Sequence, residues 1–153
     1  MTTSSPARKN SVRAFTGTRL QFEVSAEETN NVLAVIEMQM LASAEFPRHV
    51  HDHEDELYLV KEGEITFFIG DDIVQAKPGS KVFLPRHVPH HFKITTDKAI
   101  ATVIVTPGDF QNFYKSISAP YKSNDAPPVE RGLTDEEITH FVTMANRYGV
   151  HFV

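Results

Sequence analysis

Short apolar runs alternate with turn residues along the middle of the chain, from Val32 to Val105. The runs are rich in Val, Ile, Phe and Tyr, which suit the pleated, half-buried surface of a β-strand. Gly and Pro stand between them, and such closely spaced turns are typical of a β-sandwich or β-barrel. No stretch between the runs is long enough for a helical crossover, so the sheets should be antiparallel. The pattern predicts strands at Val32–Leu41, Leu57–Lys61, Glu64–Ile69, Ile73–Ala76, Lys81–Leu84, His90–Ile94 and Ala99–Val105.

The apolar pattern changes its period towards the C-terminus. Phe110–Ile117 predicts a short helix, and the Pro-containing segment Ser118–Gly132 predicts a connector. Thr134 and Glu137 then have the spacing of a capping box, in which each side chain satisfies a backbone amide at the start of a helix. Gly149 stands where the C-terminus of that helix favours glycine. We expect the helix to pack on the β-domain as a lid, through apolar residues at helical spacing: Ile138, Phe141, Val142, Ala145 and Tyr148.

The length of 153 residues fits one domain, which can bury a sizeable core without cross-links. Residues 1–19 are basic and contain several Ser and Thr but no acidic residue. This composition predicts a flexible N-terminal tail, and a transit peptide is the alternative. We therefore divide the chain into this tail, a β-domain at residues 20–109, and a C-terminal connector and helix at residues 110–153.

Composition narrows the possible function classes. The formal net charge is −5, and the acidic residues are spread along the chain, so there is no basic face for a nucleic acid. No apolar stretch approaches the roughly 20 residues of a membrane helix, and no secretory signal follows Met1, so the cytoplasm is the expected compartment. The absence of cysteine excludes disulfides, thiolate nucleophiles and sulfur-ligated metals. Any metal must therefore bind imidazole and carboxylate groups.

Histidines are concentrated in one part of the sequence, because six of the eight lie between His49 and His91. His49 and His51 are two residues apart in an extended segment, so they point to the same face and can reach one metal ion. Glu56 has the opposite parity, and it can join them only if the polar run Asp52–Asp55 interrupts the strand. A second cluster, Pro85-Arg86-His87-Val88-Pro89-His90-His91, is a proline-framed turn that brings a histidine to the start of a new strand.

The remaining histidines have simpler interpretations. His53 is read as part of a solvated turn, although His49, His51 and His53 could form a rival triad on one strand face. His87 and His91 are interpreted as turn or surface residues. The two histidines near the C-terminal helix, His140 and His151, are read as structural or exposed.

At this point the sequence resembles the cupin superfamily. His49-x-His51, four further residues, Glu56, six further residues and Gly63 resemble the first cupin motif, and the segment from Gly79 to His90 resembles the second. The resemblance covers roughly residues 31–106. It implies a double-stranded antiparallel β-barrel (cupin, or jelly roll), with a metal bound inside it by His49, His51, Glu56 and His90. One departure is His87, which stands where the family usually has a turn glycine; histidine tolerates positive φ better than most residues.

Three imidazoles and one carboxylate suit one divalent transition metal, which can be Fe, Mn, Ni, Co, Cu or Zn. Glu56 is then either a plain ligand or also the catalytic base that takes a proton from a bound enol or phenol. Strand parity directs Tyr58 and Val60 to the same side as Glu56, and Phe92 to the same side as His90. These residues are the candidates for the wall of the substrate pocket.

The C-terminal segment resembles the tail of small quercetinase-like cupin dioxygenases, so the leading hypothesis is a metal-dependent dioxygenase for a small enolisable or phenolic, flavonol-like compound. One alternative is an isomerase, cyclase or lyase that uses the metal as a Lewis acid without oxygen. Another is a non-catalytic cupin that binds a small ligand. The expected partners are a small-molecule substrate and a second copy of the chain in a homodimer, with neither nucleic acid nor membrane.

Overall fold

The computed structural model describes residues 12–122, 127–129 and 131–153. The expected tail over residues 1–11 and part of the expected connector lie outside the described residues. Two α-helices, α1 (Gln111–Ile117) and α2 (Asp135–Arg147), accompany twelve strands. The strands are β1 (Val12–Phe15), β2 (Thr18–Val24), β3 (Ala34–Leu41), β4 (His49–His51), β5 (Asp55–Glu62), β6 (Ile65–Ile69), β7 (Asp72–Ala76), β8 (Lys81–Leu84), β9 (His90–Ile94), β10 (Lys98–Thr106), β11 (Ala119–Pro120) and β12 (Val150–Phe152).

The strands form two antiparallel sheets. The larger has seven strands in the order β11-β1-β2-β3-β10-β5-β8, and the smaller has five in the order β12-β4-β9-β6-β7. All seven strands predicted from the apolar pattern are present, and β8 and β9 have the predicted ends. The short strands β4, β11 and β12 contain only two or three residues each, too few for a periodic pattern to identify them.

The N-terminal boundary differs from the prediction. Residues 12–19, assigned to the flexible tail, form β1 and the start of β2, and they pair with each other and with β3. The Arg13 side chain donates hydrogen bonds to Ser118 Oγ at 2.8 Å and to the Ser118 carbonyl at 2.6 Å. Leu20 and Phe22 alternate into the core, so the hairpin extends the larger sheet. Basic composition suggested a tail, but these contacts with residues about a hundred positions away order the segment.

The core lies between the two sheets, where side chains from both faces meet. Tyr58 from the larger sheet packs on Phe67 from the smaller one, with ring centroids 5.2 Å apart. Phe67 and Ile36 are completely buried. The antiparallel sheets are therefore as expected, but hydrogen-bonded pairing does not close them into a barrel within the described residues. Side-chain packing holds the two sheets together. Strand β8 lies at one edge of the larger sheet, and β7 lies at one edge of the smaller sheet.

Helix α2 covers one end of this sandwich. The predicted capping box is present, because the Glu137 amide donates to Thr134 Oγ1 and the Thr134 amide donates to the Glu137 carboxylate. Phe141 and Ala145 are its buried residues, and Phe141 packs on Phe46 with 5.2 Å between centroids. Gly149 ends the helical segment with φ of 75°, and the chain continues into β12. No helix in the described part of the chain has the length and apolar character to cross a membrane.

Candidate metal centre

Two neighbouring strands of the smaller sheet bring three histidines together. His49 and His90 are register partners across β4 and β9, and His51 follows His49 on the same face of β4. All three side chains are buried. One ring nitrogen from each lies within 4.8 Å of the others, which is a spacing that allows them to share a metal ion.

Glu56 approaches this group from the opposite sheet. Strand β4 ends at His51 and β5 begins at Asp55, so the polar run does interrupt the strand, as the parity argument required. The Glu56 side chain is only 3 % exposed, and its Oε1 lies 2.8 Å from Nε2 of His51. The mutual 4.8 Å spacing is confined to the three imidazoles, so Glu56 meets the group at His51.

A second contact orients each of the three imidazole rings. In every case Nδ1 faces an oxygen atom, which favours a proton on Nδ1 and leaves the lone pair of Nε2 available to a metal. The oxygen partners are the Pro47 carbonyl for His49 at 2.7 Å, the Val88 carbonyl for His90 at 3.2 Å, and Glu54 Oε1 for His51 at 3.3 Å.

The environment of His51 Nε2 fits a bound cation. This atom is buried and makes no well-directed hydrogen bond within the described residues, although Glu56 Oε1 is only 2.8 Å away. Two ligand atoms bound at about 2.0–2.2 Å to one ion, at right angles, are separated by about 3 Å. The side chains of His51 and Glu56 therefore have the separation of neighbouring ligands.

The electrostatics of the metal-free site agree with this donor set at His49 and His90. Burial lowers the pKa of His49 to about 4, helped by His90 and His51, and burial also lowers the pKa of His90. Both rings are thus neutral at pH 7, which is the form that binds metals. Burial alone would raise the pKa of Glu56 and lower that of His51. Their mutual attraction prevails, with a pKa of about 2 for Glu56 and about 9 for His51, so without a metal His51 carries a proton at pH 7 that a bound metal would displace.

A cavity of about 40 Å³ adjoins the four side chains. Its wall is mostly aromatic, and it includes Tyr58 and Phe92, two of the three pocket candidates. Burial raises the pKa of Tyr58 well above its usual value, so its phenol stays neutral beside Glu56. Val60 is not among the lining residues; it is buried in the core. It lies four residues beyond Glu56, roughly 13 Å along the strand, so correct parity does not bring it to the cavity.

The other histidines lie outside the group. His53 is exposed, so the rival triad of His49, His51 and His53 does not form. His87 is exposed with φ of 68°, as a turn residue in a glycine-like position, while His91 stacks on Phe68 at 4.5 Å. Near the C-terminus, His140 contacts the Ser116 carbonyl and His151 contacts Asp52.

Sequence reasoning missed three contributors to the site. Glu54 was considered only as part of the polar run Asp52–Asp55, yet it is 5 % exposed and supports His51. The signal was its position three residues after His51 in an acidic run. Phe110 packs against the His51 ring at 4.8 Å, and β12 lies alongside β4 with Val150 opposite His51. These contacts connect distant segments and leave no local pattern.

The fold and the site define the class of protein. The family model described as Cupin domain matches residues 36–110, which contain all four of the proposed ligands. Residues 36–110 therefore form a cupin domain. Among curated proteins it is similar to quercetin 2,3-dioxygenase of Bacillus subtilis (strain 168), with 22% identity over 127 residues. That match covers 82% of this chain and 38% of the relative, so the chain spans well under half of the relative's length.

Solved structures give the same fold. A variant of Bacillus subtilis oxalate decarboxylase matches with a TM-score of 0.59 and 20% identity, over 73% of this chain and 32% of that one. A predicted oxalate decarboxylase of Thermotoga maritima has a TM-score of 0.54 and 20% identity, over 59% of this chain and 80% of that one. KdgF of Halomonas sp. has a TM-score of 0.53 and 15% identity, over 60% of this chain and 79% of that one.

Proposed function

We propose that the protein is a metal-dependent cupin dioxygenase that acts on a small enolisable or phenolic, flavonol-like compound. The observation that carries the proposal is the convergence of His49, His51, His90 and Glu56 beside a cavity lined mainly by aromatic side chains. The similarity to a quercetin 2,3-dioxygenase supports it. The four side chains would hold the ion, and the bound ion would supply Lewis acidity and electron exchange with dioxygen.

The wall of the cavity favours an aromatic substrate. Among the described residues that line it there is no Lys or Arg, so a small dianionic acid would find no protein counter-charge. Phe92, Phe110 and Phe113 offer apolar surface to a flat ring and exclude water from it. The apolar wall therefore favours an aromatic substrate over a small dianion such as oxalate, the compound in the names of two structural relatives.

Glu56 is the proposed catalytic base as well as a ligand. Its carboxylate is ionised at neutral pH and lies at the cavity wall, where the hydroxyl group of an enol or phenol can reach it. It would accept the hydroxyl proton and so generate the electron-rich anion that reacts with oxygen. Tyr58, beside Glu56, would remain protonated and orient the substrate.

Metal analysis and oxygen uptake test the proposal together. We expect about one transition metal per chain and oxygen consumption with 3-hydroxyflavone. His90→Ala should lose the metal, whereas His53→Ala, a matched change at an exposed histidine, should retain both metal and activity. Glu56→Gln should keep much of the metal but lose roughly 10²-fold in turnover, because an amide cannot accept the proton. In the same variant, turnover of a substrate that is already ionised should fall far less, because its proton does not need to be removed.

The same experiment separates the alternatives. Full metal occupancy in His90→Ala would refute the site. Equal losses for neutral and ionised substrates in Glu56→Gln would leave Glu56 a ligand only. Product formation without oxygen would indicate an isomerase, cyclase or lyase, and saturable binding without turnover would indicate a ligand-binding cupin.

A further inference from the structure

A second and much larger cavity lies next to the metal cavity. It has a volume of about 490 Å³, within the roughly 300–1,000 Å³ typical of sites for small molecules. We call it the outer pocket. Its walls are the loop at residues 43–47, residues 131–133 and one face of α2. The metal cavity, at about 40 Å³, is too small for a phenyl ring joined to a fused pair of rings, as in a flavonol. A flavonol-like compound would therefore have to extend into further space.

Four phenylalanines separate the two cavities, because each of them lines both: Phe15, Phe46, Phe141 and Phe152. We call this group the aromatic wall. Phe141 is at its centre, stacked on Phe15 at 5.8 Å and packed on Phe46 at 5.2 Å and on Phe152 at 5.5 Å. The contacts among these rings are non-directional compared with hydrogen bonds, so the rings can rearrange without breaking a polar network.

The positions of these rings also favour movement. Phe46 lies in the loop between β3 and β4, outside any strand, and Phe15 lies beside the β1–β2 turn. Phe141 belongs to α2, which has only two buried residues. Phe15, Phe46 and Phe152 are partly exposed, which gives their rings free space on one side. An aromatic molecule can replace the ring contacts that it displaces.

The chemistry of the outer pocket points to a largely neutral ligand. Leu133, Ile138 and Val142 add aliphatic surface to the aromatic wall. The charged groups at its rim already have partners, since Arg131 binds Glu137 at 2.8 Å and Glu45 accepts the Ile94 amide at 3.0 Å. The pocket therefore offers apolar contact rather than a free counter-charge.

From these observations we infer that the outer pocket binds the remote phenyl ring of a planar, flavonol-like substrate, and that the aromatic wall determines substrate specificity. This inference rests on the proposed function and deepens it. The fused rings that carry the reacting enol would lie at the metal cavity, and the phenyl ring would lie beyond the aromatic wall. Compounds with a single small enolisable group would not use the outer pocket.

The test fills the outer pocket without changing the metal cavity. Val142 and Ile138 line only the outer pocket and are 39 % and 46 % exposed, so Val142→Trp and Ile138→Trp should fold. Thr143→Trp, on the exposed neighbour of Val142, is the matched control because Thr143 lines neither cavity. Binding of 3-hydroxyflavone to the purified protein is measured without oxygen from the fluorescence of the compound. Pentane-2,4-dione is the small enolisable comparison, and metal content is measured in parallel.

We expect Val142→Trp and Ile138→Trp to weaken 3-hydroxyflavone binding at least tenfold, with unchanged metal content and unchanged affinity for pentane-2,4-dione. Thr143→Trp should match the wild type. Unchanged flavonol binding in both pocket variants, or no flavonol binding to the wild type, would overturn the inference. Because the assay excludes oxygen, binding that is blocked in the variants would support the outer pocket even if no dioxygenase activity were found. Conversely, oxygen-dependent turnover that the pocket variants leave unchanged would refute only the pocket.

Discussion

At the scale of single residues, Glu54 is the carboxylate that supports a proposed ligand without being one. Its Oε1 lies 3.3 Å from Nδ1 of His51, and both side chains are buried. A carboxylate in this position orients the imidazole and raises its basicity towards a metal. The arrangement therefore makes a prediction that concerns metal affinity and needs no assay of turnover.

Glu54→Gln should weaken metal binding about 10-fold, and Glu54→Ala by up to about 100-fold, the range seen for such supporting residues. The amide of glutamine can still accept a hydrogen bond, but it lacks the negative charge, so the two variants should form a graded series. Titration of the metal-free protein against a chelator of known affinity measures the effect. Glu62→Gln, at an exposed residue at the far end of β5, should have no effect. Wild-type affinity in Glu54→Ala would contradict the supporting role.

At the scale of elements, the C-terminal segment connects helix α2 to β4, the strand that carries His49 and His51. Helix α2 carries Phe141 over the cavities, and after Gly149 the chain pairs with β4 as β12. The Asp52 amide donates a hydrogen bond to the Gly149 carbonyl at 2.9 Å. A Cβ added at Gly149 would lie 2.9 Å from the His53 ring, and φ is positive there. The turn between α2 and β12 therefore needs glycine to bring both elements against the site.

The start of α2 gives a prediction about pH. Arg131 and the Thr134 amide bind the Glu137 carboxylate and lower its pKa to about 2, below the ordinary 4.5. Because the folded pKa is below the unfolded pKa, this contribution to stability is present above about pH 4.5 and is lost as the pH falls towards 2. Glu137→Gln should lower the thermal midpoint at pH 7, and the difference from the wild type should shrink between pH 5 and pH 3.

Thermal unfolding followed by circular dichroism at several pH values checks this expectation. Glu136→Gln is the control, because Glu136 is an exposed acidic residue in the same first turn. A difference between Glu137→Gln and the wild type that stays constant down to pH 3 would show that the lowered pKa of Glu137 contributes nothing to stability.

At the scale of the whole molecule, the outward face of the larger sheet carries an apolar row. Strand register places Val35 opposite Ile104, Ile104 opposite Leu57, and Leu57 opposite Phe83. Phe83 is 55 % exposed on the edge strand β8. The other three residues are half-buried, and we propose that a self-complementary contact between two copies covers both the row and the sheet edge.

We therefore expect a homodimer in solution, formed through this row. Light scattering at micromolar concentration should give about twice the chain mass of 17.2 kDa. Phe83→Glu should shift the mass to that of a monomer, because a charge would be buried in the contact. Ile73→Glu, at a residue 65 % exposed on the smaller sheet, is the matched control and should remain dimeric. A monomeric wild type would refute the prediction, and loss of the dimer in both variants would argue against this location.

What the sequence alone determined is local in origin. The strands of the middle region follow from side-chain type and turn residues, and the start of α2 follows from the capping residues Thr134 and Glu137. Alternation along a strand put His49 and His51 on one face, and the motif resemblance added Glu56 and His90 as proposed ligands. Each of these inferences depends on residues that are close together in the sequence or on a motif of fixed spacing.

Only the tertiary structure decided which distant segments meet. The hairpin that begins at Val12 is ordered through contacts of Arg13 with residues near Ser118, and β12 reaches β4 across about a hundred residues. Such contacts follow from how two sheets and a helix pack as a whole, and no window of sequence contains them. The same reason explains why Val60, with the expected parity, lies in the core rather than at the cavity. It also explains Glu54: an acidic turn is usually solvated, but here the fold buries Glu54 against His51.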